Sequence, residues 1–285
     1  MKLVDFDGMF DKKLSAFVKK NAGKFTAEQL EDMIPSLYSK FGDTAISSLG
    51  ASPRGYYAAM SDEELVKCLC AHEKNGVPVS AFLARELEGR PACRAALIAM
   101  LPSADGRLAR RIVAVLGGVS EAIPAYMSLL TACGEDDDDL KESLADFIKE
   151  NADLVKEQAI ANYREGTERP LMLEILSCVR VHDDRIFDIL ISEFRGAGDT
   201  QMLAGYLASY GDERALPYLL DRIAGDVPYI EFQELKYAIE ALGGEYSEQR
   251  DFSGDKAYEL IHAHTAADDI FAVFNKNAEG ADGKK

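Results

Sequence analysis

The stretch Asp183-Asp184-Arg185-Ile186-Phe187-Asp188-Ile189-Leu190-Ile191-Ser192-Glu193-Phe194 aligns without a gap on Asp212-Glu213-Arg214-Ala215-Leu216-Pro217-Tyr218-Leu219-Leu220-Asp221-Arg222-Ile223, 29 residues further on. Both open with two acids and an arginine, then place apolar residues at helical spacing. Acids suit a helix N-terminus, where free backbone N–H groups and the dipole favour negative charge.

Each of these helices follows another that ends at a matching point. The preceding helices carry Val113 and Leu116, Ala145 and Ile148, Leu176 and Val179, Leu207 and Tyr210, and Ile239 and Leu242, with successive members 31 or 32 residues apart. Each pair has i, i+3 spacing, so both side chains face one way. One turn earlier stand Ala109, Met172, Leu203 and Leu235, while Lys141 interrupts the series and makes the second unit the least regular. Glycines punctuate the pattern: Gly117-Gly118, Gly211 and Gly243-Gly244 past these helices, where a left-handed C-cap wants glycine, and Gly166, Gly196 and Gly225 past their partners. Short helices joined by short loops pack as antiparallel hairpins, and hairpins that cannot bury their apolar faces alone do so by stacking. The expected fold class is therefore all-α, an α-solenoid of stacked antiparallel helical hairpins.

Tyr210-Gly211-Asp212-Glu213-Arg214-Ala215-Leu216-Pro217-Tyr218-Leu219-Leu220 resembles the HEAT-repeat family, and most of all its short-period, phycobilisome-lyase-type HEAT-like branch. Gly117 to Leu130, with Ala122-Ile123-Pro124, and Val181 to Phe194 are weaker copies, and Asn151 to Tyr163 keeps only the apolar pattern. The resemblance spans roughly residues 105–245. It implies a curved right-handed stack of helical pairs, HEAT/armadillo-like, in a family made mostly of scaffolds and binding surfaces with a few enzymes. One of those enzyme groups, deoxyhypusine hydroxylase, holds iron through repeated His-Glu pairs. This chain has four histidines and the single pair His72-Glu73, so no iron ligands carry over. No pattern singles out the bilin chemistry of the lyases. The HEAT-like DNA glycosylases use a basic aromatic groove, which an acidic chain without tryptophan does not match.

Outside the clean period, Phe10, Leu14, Phe17 and Val18 share one face of a helix over 7–20. Thr26-Ala27-Glu28-Gln29 reads as a capping box opening a helix to about Lys40, and Ser61-Asp62-Glu63-Glu64 opens another ending near Gly76. Helices over Pro78–Leu87 and Pro91–Leu101 follow, and residues 43–60, with Gly50, Pro53 and Gly55, read as a loop. Ala257–His264 and Ala266–Asn275 read as closing helices. The expected organisation is an N-terminal helical cap over 1–60, a repeat solenoid over 61–276 and a disordered tail over 277–285.

The chain of 285 residues is 47% hydrophobic with a formal net charge of −17. The balance argues against a nucleic-acid backbone or an anionic membrane as main partner. No run approaches a membrane span and no secretory h-region opens the chain, so a cytoplasmic location is expected. The five cysteines form no CxxC pair and read as free thiols. His262, His264, Asp268 and Asp269 form the densest potential ligand cluster. Only His264 and Asp268 share a helical face, and a surface pair is the simpler reading. Asp136–Asp139 lacks the alternation and glycine of a calcium loop, and more simply places charge at a helix start. No Walker loop or GxSxG elbow is present. No cofactor or metal is expected.

Two local features remain. Tyr206, Tyr210, Tyr218, Tyr229, Tyr237 and Tyr246 cluster in the last two repeats, and tyrosine suits binding surfaces as well as cores. Of these, Tyr206, Tyr218 and Tyr237, with Arg214, are the candidates for lining a groove. The basic stretch Arg85–Arg111, with Arg107, Arg110 and Arg111, is a candidate grip for an acidic partner or nucleic acid. The leading expectation is a non-catalytic scaffold presenting a curved surface to a peptide or protein. The alternatives are an enzyme or small-ligand protein with its site in the groove, and an adaptor acting through the basic stretch.

Overall fold

In a computed structural model, residues 2–134, 137–196 and 199–262 are described. They are all-helical, and among them the only strand-like pairing is an isolated bridge between Ile46 and Ala51. Packing divides the chain into two compact units at Val155/Lys156.

The first unit begins with α1 (Phe6–Lys20), capped by Asp5, and α2 (Ala27–Asp43). Thr26 forms the expected capping box: its hydroxyl accepts from Gln29 N and the Gln29 side chain accepts from Thr26 N. Then come α3 (Pro53–Ala58) and α4 (Asp62–Asn75). Ser61 and Glu64 close a second capping box on α4, and Gly76 ends it at φ +62°, a left-handed turn that suits glycine. The unit continues with α5 (Ala81–Gly89), α6 (Pro91–Met100), α7 (Gly106–Leu116), α8 (Ile123–Ala132) and α9 (Asp138–Glu150).

Two expectations are corrected here. Residues 43–60 are not simply loop: Ser52 caps α3 with Pro53 in its first turn, and Tyr57 is fully buried. Proline there meets only a backbone N–H that a helix start leaves unpaired anyway, so the Ser-Pro pair starts a helix instead of breaking one. The helix expected from Pro78 starts instead at Ala81, because Ser80 takes the cap and its hydroxyl accepts from Leu83 N.

An aromatic cluster fills the start of this unit. Phe6 meets Tyr57 edge-on at 5.4 Å, and Tyr38 stacks on Phe82 at 4.7 Å. Such geometry adds to simple burial. Gly42 lies so close to Phe82 that a Cβ would stand 2.4 Å from the ring. Arg90 ties the following segments together. Its guanidinium donates to the carbonyls of Ala58 and Met60 and to the carboxylates of Asp62 and Glu86.

The second unit holds α10 (Lys156–Glu165), α11 (Arg169–Ser177), α12 (Asp184–Arg195), α13 (Thr200–Tyr210), α14 (Leu216–Ala224) and α15 (Tyr229–Ala241), with helix again over 256–262. The remainder of the expected closing helices and the 277–285 tail lie outside the described residues.

The periodic anchors hold their expected places. Val113, Leu116, Ala145, Ile148, Leu176, Val179, Leu207, Tyr210, Ile239 and Leu242 are all buried, as are Ala109, Met172, Leu203 and Leu235 one turn earlier. Lys141, the interrupted position, is only partly covered. In both units the most extensive packing joins helices one to three places apart along the chain, such as α4 with α6 and α13 with α15. Three partner helices are entered through short 3₁₀ turns, at Ser120–Ala122, Ala152–Leu154 and Glu213–Ala215. In the first and last of these, Ala-Ile-Pro and Ala-Leu-Pro bury the alanine and place proline in the first turn of the helix.

Candidate functional site

The two aligned Asp-x-Arg sequences build matching polar clusters in the second unit. Asp183 caps α12, accepting from Arg185 N at 3.0 Å, and takes two further bonds from the Arg185 guanidinium. Arg185 then extends to both carboxylate oxygens of Glu157, at 2.6 and 2.9 Å. Asp212 likewise accepts from Arg214 N and from the Arg214 guanidinium, which reaches Asp184 at 2.8 Å and lies over the Phe187 ring at 4.3 Å. The Arg214 side-chain bonds hold the Asp212 carboxyl below the usual carboxylate range. Arg185, with help from Lys156, does the same to Asp183. The Tyr210 hydroxyl joins the clusters, accepting from Asp183 N at 2.6 Å and donating to Asp183 O at 3.0 Å. Each charge here is met by another group of the same chain, so these clusters stitch helices together.

A different arrangement stands at the C-terminal end of α12. Phe194, Arg195 and Gly196 leave that helix, Thr200 begins α13, and α14 contributes Tyr218, Asp221 and Arg222. Together they line an open, polar cavity of about 470 Å³. Positions 218, 221 and 222 share one helical face because they are three and four residues apart. Arg195 sets its guanidinium 5.9 Å from the Tyr218 ring centroid. Arg222 is fixed from below by Glu231 of α15, which is buried and accepts from Arg222 Nε at 2.7 Å. The cavity thus offers an aromatic wall, the Arg195 guanidinium beside it, a hydroxyl at a helix start, and the Asp221 carboxylate on the same helical face as Tyr218. Its Arg195–Tyr218 side suits a carboxylate carried on an apolar stem.

The residues expected to share a groove stand on different elements of the second unit. Tyr218 lines this cavity. Arg214 is bound into the Asp212–Asp184 cluster, Tyr206 is half-buried on α13, and Tyr237 projects from α15 with 64% of its surface exposed. Arg195 and Arg222 escape a sequence reading. The one signal that could have found them is the i, i+4 spacing of Tyr218 and Arg222.

In the first unit the basic stretch is distributed among local acids. Arg107 and Arg111 converge on Glu73, at 3.5 and 3.1 Å, and Arg110 approaches Asp137 at 3.4 Å. Arg107 and Glu73, with Cys70, Lys74, Asp105 and Leu108, line a second cavity of about 430 Å³. His72 points away from its neighbour Glu73: it is fully buried, and its Nδ1 lies 2.9 Å from the Pro78 carbonyl. Of the densest potential ligand cluster, only His262 is described; its Nδ1 lies 2.9 Å from the Tyr258 carbonyl. Among the described residues no group of three or more His, Cys, Asp or Glu could hold a metal ion, and no helix is long and apolar enough to cross a membrane.

No protein-family model, no curated protein and no solved structure matches this chain.

Proposed function

We propose that this chain is a non-catalytic interaction module, a HEAT-like α-solenoid that presents a helical-repeat surface to a peptide or protein partner. The cavity of Arg195, Thr200, Tyr218, Asp221 and Arg222 is its principal docking point. One observation carries the reading. Asp183, Asp184, Arg185, Asp212 and Arg214 are engaged in ties within the second unit, while the Tyr218–Arg195 pair stands at an open, solvent-facing cavity. Repeat arrays use such surfaces to recognise extended partners. The anchor is an acidic side chain or chain terminus, with the attached apolar stem lying on Tyr218.

The test is affinity capture from lysate of the protein's own source, eluted in salt steps and read by mass spectrometry. Wild type runs in parallel with Tyr218→Ala and Arg195→Glu. A single protein retained by wild type through high salt and lost by both variants, with circular dichroism unchanged, supports the reading. Equal retention by all three removes the cavity from the interface.

The cavity volume also favours a second reading, a small-ligand or enzyme site at the same place, since it lies within the range of small-molecule pockets. A small molecule that co-purifies with wild type but not with Tyr218→Ala, and no retained protein, would establish that reading instead.

A further inference from the structure

Among the described residues, the first two helices leave an open apolar trough between them. Leu14 and Phe17 of α1 face Leu37 and Phe41 of α2 across an open groove of about 260 Å³. Leu30, Met33, Ile34, Leu37 and Phe41 give α2 a continuous i, i+3, i+4, i+7 stripe. Only Phe41, at the last turns, is buried; the rest of that stripe is half-exposed. Phe25, stacked on Phe17 of the trough at 6.3 Å, is 37% exposed. At its C-terminal end the α2 stripe also meets α5, where the Phe41 ring lies 6.2 Å from that of Phe82, while Leu37 faces α1 across the open groove.

The rim of the trough has the opposite sign to the chain. Lys13 stands on one side, 4.9 Å above the Phe41 ring, and Lys40 stands on the other. From Phe6 to Phe25 five lysines face two aspartates, in a protein of net charge −17. A partner drawn to this place therefore carries apolar side chains along one face and acids along its flanks.

We propose that the α1–α2 trough docks an acidic amphipathic helix of a partner protein, laid between the two helices as a third member of the bundle. The shape selects a helix: a concave channel between two helices accepts side chains at i, i+3, i+4 and i+7. The charge selects acids, since Lys13 and Lys40 flank the channel on both sides. An anionic membrane, which also likes basic apolar helices, is disfavoured by the concave form and by the net charge of the whole chain. This site is separate from the Tyr218 cavity and stands or falls without it.

The probe is a labelled 16-residue peptide with leucine at the i, i+3, i+4, i+7 positions and glutamate on its flanks, titrated by fluorescence anisotropy against the full chain. Saturable binding is expected. It should weaken at least about tenfold in Lys13→Glu/Lys40→Glu, a change of two exposed residues that leaves circular dichroism unaltered. It should also weaken with rising salt, and hydrogen exchange should show protection confined to residues 10–44. Tyr218→Ala should bind the peptide as wild type does. Absence of binding overturns the proposal, as does equal binding by wild type and the double variant. Flotation with phosphatidylserine vesicles in place of peptide binding assigns the trough to a membrane surface and overturns it. Sedimentation showing a dimer that the lysine variant abolishes assigns it to a second copy of this chain and also overturns it.

Discussion

Arg214 grips the carboxylate of Asp184, 30 residues earlier in the chain, at 2.8 Å, while its other nitrogens hold Asp212, the cap of its own turn. Arg185 repeats the gesture, holding Asp183 and reaching Glu157. One guanidinium thus fixes a helix start and ties it to the helix two places earlier, α12 in one case and α10 in the other.

Asp212 is the buried member of the later cluster. Asp212→Ala removes both the acceptor for Arg214 N and the anchor of the guanidinium. Loss of a helix cap of this kind costs about 1–2 kcal/mol. Urea denaturation followed by circular dichroism should show that loss, with Asp212→Asn, which keeps one acceptor, falling between the alanine variant and wild type.

The same clusters set the response to acid. The Asp183 and Asp212 carboxyls are held below their ordinary values chiefly by Arg185 and Arg214. A carboxyl depressed in the folded state stabilises above its unfolded value of about 3.9, and that stability disappears as pH falls. Tm should therefore be nearly constant from pH 7 to 5 and drop below about pH 4. In Asp212→Ala the acid limb should be shallower. An acid limb identical in the two proteins would mean that other carboxylates govern it.

Tyr210 bonds through one hydroxyl to both the N–H and the carbonyl of Asp183. Tyr210→Phe keeps the ring and leaves those two backbone groups without this partner, a loss of about 1–3 kcal/mol. Hydrogen exchange of the Asp183 amide should accelerate before any change in the exchange of α15.

Burial pushes the Cys68 and Cys93 thiols up to about 11, and neither side chain is exposed. Cys70, Cys133 and Cys178 are partly exposed. Titration of the native protein with a chromogenic disulfide at pH 8 should modify up to three thiols and spare these two until denaturant is added. Peptide mapping identifies which.

The periodic anchors were legible because a helix face is a local property: residues three apart point one way whatever the fold, so Leu176 and Val179 could be placed without knowing what covers them. Thr26 and Ser61 were legible for the same reason, since a capping box is complete within four residues. Pro53 misled because the same residue breaks a helix interior and opens a helix start. The tie of Arg214 to Asp184 was not legible, since it exists only once two helices are brought together. The cavity is harder still. Arg195, Thr200 and Tyr218 come from three helices, and nothing in any one segment announces the others.

Glu213 occupies in the later cluster the position that Asp184 holds in the earlier one, and it is exposed. The Asp-x-Arg tie therefore has a direction. Both copies extend their cation backwards; the earlier copy's forward acid, Asp184, is taken by Arg214 and the later copy's, Glu213, is left exposed, so a tandem copy of the 183–211 segment inserted after position 211 would find its own acceptor waiting and supply the next. Growth by duplication needs no new chemistry at the joint, and a chain built this way can change its length without redesigning its seams.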